Sequence, residues 1–328
     1  MTISERPLFS LEADPGAQKT TKTTESTKAT ESTRAVNEFE RNFAVVRRNG
    51  SDARSGHPVR PAPTVSVVIP AKNEAKNLPH VLAALPAGLH EVILVDGNST
   101  DDTVEVARSC YPDIVVIGQT RKGKGNALAC GFEATTGDFI VMIDADGSTD
   151  PAEIPRFVDA LRQGADFAKG SRFMPGAGSS DISRLRQMGN FWLNKIVNVI
   201  YGTRYTDLCY GYNAFRRDCL LELDLSAESP EGVDSQEMLW GDGFEVETLI
   251  NVRIAKAGVR VFEVPSFERN RLHGTSNLNA FTDGLRVIRT IYIERKRGTR
   301  RAALASSTMP RHSGESWAVL STYEEESA

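Results

Sequence analysis

Phe139-Ile140-Val141-Met142-Ile143 followed by Asp144-Ala145-Asp146-Gly147 is the stretch on which the reading of this chain turns. Five consecutive apolar residues have the length of a strand buried on both faces, as in a parallel sheet covered by helices. In such a sheet ligands bind beyond the carboxyl ends of the strands, which is where the two aspartates fall. A bare Asp-x-Asp more often marks a turn or a solvated pair. At the end of a buried strand, however, two carboxylates can share one divalent cation and leave its other positions to substrate oxygens, and diphosphates suit that arrangement.

Outward from this run, short β-branched segments alternate with helical periodicity. Val65 to Ile69, Glu91 to Val95 and Ile114 to Ile117 read as further strands. Asn77 to Leu85, Asp102 to Ser109, Gly125 to Ala134 and Glu153 to Gln163 read as the helices between and after them, with Pro151 where a helix start tolerates proline. Beyond them the spacing predicts helices over Arg184 to Ile200, Glu245 to Ala257 and Ala280 to Arg295, and a strand over Val259 to Val264. The fold class is therefore α/β, a mostly parallel central sheet flanked by helices.

The chain has 328 residues, 40% of them hydrophobic and 25% charged, enough for one large domain. Lys19 to Arg34 is almost wholly Thr, Ser, Lys, Glu and Ala, too poor in apolar surface to offset the entropy of ordering. Residues 1–63 are expected to be a disordered tail, 64–297 the folded domain, and 298–328 a second tail, with Trp317, Val319 and Leu320 able to dock. No apolar run approaches the roughly 18 residues of a membrane span, and Met1 to Leu11 lacks the pattern of a secretory leader. Cys110, Cys130, Cys209 and Cys219 have neither zinc-like nor Cys-x-x-Cys spacing, so reduced thiols and a cytoplasmic setting are expected. A net charge of -4 argues against nucleic acid as a partner.

Two other strand ends carry acids: Pro70-Ala71-Lys72-Asn73-Glu74 and Asp96-Gly97-Asn98-Ser99-Thr100-Asp101-Asp102. Turn and helix-cap roles account for Ser99 or Asp101. They leave Asp96, which ends a buried strand and needs a donor such as a base or ribose edge. Lys122-Gly123-Lys124-Gly125-Asn126-Ala127 precedes a helix, where glycines admit a phosphate to the backbone and lysines balance its charge. A dinucleotide reading fails, because Leu128 stands where a third glycine belongs and the loop does not open the first β-α unit.

Taken together, Val65 to Glu74, Val95-Asp96-x-x-Ser99-Thr100-Asp101, Gly125 with Ala127, and Asp144-x-Asp146 resemble a family 2 glycosyltransferase over about Thr64 to Arg297. The resemblance implies a GT-A fold, a nucleoside-diphosphate sugar donor (UDP- or GDP-), a Mg2+ or Mn2+ ion and inversion at the anomeric carbon. It places Pro70, Lys72, Glu74 and Asp96 around the nucleoside, Lys124 and Gly125 along the donor, and Asp144, Ala145 and Asp146 at the diphosphate, with Asp144 and Asp146 holding the metal. One departure is Gly97, where the family's usual second aspartate would stand.

In the second half, Gly170-Ser171-Arg172-Phe173, the Arg184 and Arg186 region, Asp207 to Phe215 and Arg271-x-x-Gly274-x-Ser276 resemble dolichol-phosphate and other polyprenyl-phosphate sugar synthases. That resemblance makes Arg172, Arg186 and Arg271 phosphate ligands and a polyprenyl phosphate the acceptor, with a saccharide as the alternative; single structural ion pairs are the plainer account of each arginine. Tyr210 and Tyr212 depart from the usual Asp-x-x-Ser-Gly-Phe, and Asn277 from a frequent lysine.

A hydroxyl acceptor would need a general base, for which Asp242 and then Glu247 are candidates. A phosphate acceptor needs none, and acids at a helix start also suit its dipole. Phe281, Leu285, Ile288 and Tyr292 share one face of the 280–297 helix among several arginines, which allows peripheral contact with the inner face of the plasma membrane, or simply packing. Two rival readings are a sugar nucleotidyltransferase, which lacks its Gly-rich loop here, and a non-catalytic nucleotide-sugar-binding module, against which both motif carboxylates argue.

Overall fold

The computed structural model describes residues 62–274, 280–297 and 317–319. Val65–Ala71 (β1), Leu78–Ala83 (α1), Glu91–Asp96 (β2), Thr103–Cys110 (α2), Val115–Gly118 (β3), Lys124–Ala134 (α3) and Phe139–Met142 (β4) alternate as the sequence pattern predicts. A 3-10 turn, Pro151–Glu153, then leads into Ile154–Arg162 (α4), with the Asp150 carboxylate accepting the Ala152 N–H at 3.0 Å. Phe167–Ser171 (β5), Gly178–Ser179 (β6), Arg184–Tyr201 (α5), Asn213–Arg216 (β7) and Leu220–Leu223 (α6) follow. Val246–Ala257 (α7), Val261–Pro265 (β8), Phe267–Glu268 (β9), Ala280–Lys296 (α8) and Trp317–Val319 (β10) complete the order.

The main sheet runs β10-β8-β5-β7-β4-β1-β2-β3. β7 is antiparallel to β4 and β5, and the remaining pairs are parallel. β1 lies in the middle, Val67 opposite Val92 on one side and Val141 on the other, which is why its residues are apolar without alternation. Val65, Val67 and Ile69 pack on α1, α2 and α4, while Val68 faces α3, α7 and α8. The parallel strands β1, β2 and β4 all end on one edge, and the acid-bearing loops gather there.

β5 and β7 escape the sequence pattern. Phe167-Ala168-Lys169-Gly170-Ser171 interrupts its apolar run with a lysine and a glycine, and β7 is only four residues long. Both are nonetheless buried, Lys169 completely. Within 298–328, Trp317–Val319 pairs in parallel with β8, Trp317 opposite Val261; the rest of that segment, residues 1–61 of the expected 1–63 tail, and the side chain of Phe281 lie outside the described residues. All four cysteines are free thiols.

Candidate active site

The loops after β1 and β2 hold one another. Asn73, at φ 56°, receives the Thr100 N–H on Oδ1 at 2.7 Å and donates its own N–H to Ser99 Oγ at 3.0 Å, and the Glu74 N–H reaches Thr103 Oγ1 at 2.9 Å. Pro70, Lys72, Glu74 and Gly97 consequently line one end of a cleft of about 900 Å³. Asp96 does not. Its carboxylate accepts the Ser99 N–H at 3.2 Å, so the chain itself supplies a donor that the sequence reading sought from a nucleoside.

β4 delivers Asp144, Ala145 and Asp146 to the same cleft. Each acid meets a cation: Asp144 Oδ1 lies 2.6 Å from Lys124 Nζ, and Asp146 Oδ2 lies 2.9 Å from Arg271 Nη2. The second oxygen of Asp146 takes the Ser148 N–H at 2.9 Å. Arg271 also reaches Glu74 at 2.9 Å, and Lys124 reaches Glu247 at 2.7 Å. Burial opposes the charge on Lys124, but Asp144 and Glu247 outweigh it and hold the ammonium above the usual lysine range. Glu247 is buried, and desolvation leaves its carboxyl above the ordinary 4.5 despite the pull of Lys124. Burial likewise raises Glu74.

Gly123 and Gly125 act by close packing. A Cβ on Gly125 would stand 1.9 Å from the Gly241 carbonyl oxygen, and one on Gly123, whose φ is +126°, 2.1 Å from that of Asp242. The Gly125 N–H donates to the Asp242 carbonyl at 2.7 Å. Gly125 therefore anchors the loop from behind, and Gly123 and Lys124 reach the cleft in its place.

Asp242, expected to face the acceptor, is turned away from the cleft into a two-pronged pair with Arg121, Nε to Oδ2 at 2.9 Å and Nη2 to Oδ1 at 3.0 Å. It also takes the Leu239 N–H at 2.8 Å. Two buried charges satisfy each other here, and the carboxylate is not among the side chains that line the cleft.

Arg172 lines the cleft but is saturated. Its guanidinium forks onto Asp207 at 2.7 and 2.9 Å, bonds Glu268 at 3.0 Å, and lies 4.8 Å from the centre of the Tyr210 ring. Arg186 is freer: one half-exposed partner, Asp181, sits 3.1 Å away. Asp207 is supported in turn by Asn190 Nδ2 at 3.1 Å. Asn190, Asn194 and Asn198 recur every four residues along α5, and their amides donate to Asp207, the Thr206 carbonyl and the Tyr205 carbonyl. That stripe was legible as spacing, but Asn is not an expected residue for a helix face turned toward the protein. The cleft also has an apolar lining, with Leu193 from α5, Val287 from α8, and Met238 and Phe244.

Among the described residues no group of three or more His, Cys, Asp or Glu is arranged to hold a metal by itself. Asp144 and Asp146 nonetheless fit a hard cation of the kind that takes one or two carboxylates and completes its shell with phosphate oxygens and water. Both are oxygen donors on the open side of β4.

The profile of Glycosyl transferase family 2 matches residues 66–223. A glycosyltransferase of Haloferax volcanii, AglJ, is 31% identical over 226 residues, 67% of this chain and 68% of its own length. An undecaprenyl-phosphate mannosyltransferase of Micrococcus luteus is 32% identical over 233 residues, 68% of this chain and 91% of its own. In fold, the chain is similar to glucosyl-3-phosphoglycerate synthase of Mycobacterium tuberculosis, crystallised with Mn2+, UDP and phosphoglyceric acid, at a TM-score of 0.54 and 21% identity over 73% of this chain and 81% of that one.

Proposed function

The chain belongs to glycosyl transferase family 2, with the GT-A fold, and from that premise we propose that it transfers a hexose from a UDP- or GDP-sugar to a polyprenyl phosphate. The observation that carries the reading is a single cleft whose lining combines acids and cations at the strand ends, Arg186, and apolar side chains from α5 and α8. A saccharide acceptor would bury little apolar area on that wall and has hydroxyls needing polar partners, whereas an isoprenoid chain buries along its whole length. The undecaprenyl-phosphate specificity in the name of the Micrococcus luteus relative points the same way.

In this mechanism Pro70, Lys72 and Glu74 border the nucleoside, and Lys124 and Arg271 reach toward the diphosphate. Asp144 and Asp146 would hold Mg2+ or Mn2+, which when bound supplies positive charge to the departing diphosphate. Arg186 draws in the acceptor phosphate, whose ionised oxygen attacks the anomeric carbon from the face opposite the leaving group, with inversion. An ionised phosphate needs no proton removed, so Asp242 is free to stay in its pair with Arg121. Glu247 acts by fixing Lys124, and Arg172 by shaping the wall through Asp207 and Glu268.

We place the enzyme at a membrane surface, where its acceptor resides. Among the described residues no helix is long and apolar enough to cross a membrane. Yet α5 turns its asparagines inward and leaves Met188, Trp192 and Val199 on the outer side, Val199 being 83% exposed. Leu285, Ile288 and Tyr292 of α8 are exposed as well. An apolar face rimmed by Arg184, Lys195, Arg289 and Arg295 suits the boundary of an anionic bilayer.

The test compares thermal stability with UDP- and GDP-sugars, with and without Mn2+, since a bound donor raises apparent stability. The stabilising donor is then assayed for transfer to a polyprenyl phosphate and to saccharides. Asp146→Ala should keep the fold and lose transfer by at least about a hundredfold. Transfer to saccharides alone would overturn the acceptor assignment, and full activity of Asp146→Ala the metal assignment.

A further inference from the structure

Both motif acids carry a protein cation, but the two cations are mounted differently. Lys124 belongs to the loop packed backbone to backbone on Gly241 and Asp242. Arg271 belongs to the segment 268–274, which lies across the turn that follows Asp146. The Arg269 N–H donates to the Ser148 carbonyl at 2.8 Å and the Leu272 N–H to the Asp146 carbonyl at 3.2 Å. Leu272 covers Gly147, where a Cβ would stand 2.7 Å from Leu272 Cδ1 and φ is +78°. Asn77 Nδ2 donates to the His273 carbonyl at 3.2 Å from the other side of the cleft. The guanidinium thus spans two elements, with Nη1 2.9 Å from Glu74 Oε1 and Nη2 2.9 Å from Asp146 Oδ2.

A guanidinium in that position neutralises the acid on which the metal assignment depends. We propose that Arg271 is an internal counter-ion for the metal site, displaced from Asp146 when a divalent cation and a nucleoside diphosphate bind together. This rests on the assignment of Asp146 as a metal ligand made above. A cation arriving alone must break the Arg271–Asp146 pair and put its own charge beside a guanidinium left with Glu74 in place of two carboxylates. A cation arriving with a diphosphate offers that guanidinium phosphate oxygens, its preferred bidentate partners. The two ligands are therefore coupled through one side chain, and each raises the affinity for the other by the same factor. The segment 268–274 is pinned to the motif turn through Leu272, which holds Arg271 within reach of Asp146.

Mn2+ titration of the full chain, following the loss of the free-ion paramagnetic resonance signal, with and without UDP, tests this. Wild-type protein should bind Mn2+ weakly alone and about tenfold or more tightly with UDP. Arg271→Met should bind Mn2+ alone about tenfold more tightly than wild type, one charge-assisted pair no longer competing, and the further gain from UDP should be smaller than in wild type. Arg271→Lys, retaining the charge, should stay near wild type without UDP. Leu272→Ala frees the segment without altering charge and should tighten Mn2+ binding in the same direction, which keeps the test open if Arg271→Met folds poorly. Unchanged Mn2+ affinity without UDP in Arg271→Met, or in Leu272→Ala should that variant be the one that folds, overturns the proposal. No Mn2+ uptake by wild type even with UDP overturns the metal assignment beneath it.

Discussion

Asp242 and Glu247 lie five residues apart in sequence, look alike there, and do opposite things in the fold. Asp242 balances the buried Arg121, so removing its charge leaves a guanidinium without its main partner. Asp242→Asn should cost about 3 kcal/mol in urea unfolding and leave the turnover of the folded fraction within a few-fold of wild type, because the Gly125 contact uses the Asp242 backbone carbonyl. Glu247 faces the cleft through Lys124. Burial holds its carboxyl above the ordinary 4.5, so on acidification it protonates sooner than a solvated carboxylate and releases Lys124. The pH profile of transfer should therefore fall on an acid limb lying above pH 4.5, flattened in Glu247→Gln. That variant should lose about tenfold in rate, the worth of one charge-assisted bond, where loss of a general base would cost about a hundredfold to ten-thousandfold. A loss at the larger end would return Glu247 to the role of base.

At the level of elements, the sequence carries the sheet further than it carries the site. β1, β2 and β4 were legible because strands buried on both faces leave near-continuous apolar runs, and the edge strand β3, though partly exposed, because Val115-Val116-Ile117 is β-branched throughout; the ends of β1 and β4 led to Pro70, Glu74, Asp144 and Asp146. β5 and β7 were hidden for a physical reason: Lys169 and Gly170 break the run of β5, and the partner that buries β7 lies far away in sequence. The same holds for Asp242 and Arg172, whose distant partners Arg121 and Asp207 decide whether the side chain faces ligand or protein, while Asp96 is satisfied locally by Ser99. Gly125 is the instructive case, since a glycine before a helix reads as a phosphate loop while the fold uses it to let two backbones meet. Gly125→Ala should accordingly destabilise the chain by about 3 kcal/mol or more, overpacking with no flexible side chain to yield, because its Cβ would sit 1.9 Å from a carbonyl oxygen. Guanidinium chloride unfolding measures the loss. Thermal shifts with UDP should show weaker donor binding as well, since Lys124 moves with the loop. A fold as stable as wild type, with only donor binding lost, would restore the direct phosphate role.

For the whole molecule, the arrangement of α5 ties chemistry to location. One side of the helix, through Asn190, Asn194 and Asn198, secures the loop that carries Asp207; a second contributes Arg186 and Leu193 to the cleft; the third presents apolar side chains to solvent. A membrane in contact with that outer side would bring an isoprenoid chain to the apolar end of the cleft without extracting it far from lipid. The expected behaviour is co-sedimentation with vesicles containing anionic lipid, weakened by salt because basic residues contribute about 1 kcal/mol each near such a surface. Trp192 and Val199 lie on the outer side and do not line the cleft, and they are 61% and 83% exposed. Replacing both with glutamate should reduce vesicle binding by at least about tenfold, two apolar contacts being lost and two repelled charges gained. Thermal stability should hold, since neither side chain supports the core. Transfer to a short, water-soluble prenyl phosphate should also hold, while transfer to a long-chain acceptor in vesicles falls. Equal losses on both acceptors would mean that the outer side of α5 serves the cleft itself, and undiminished vesicle binding would move the membrane contact to another surface.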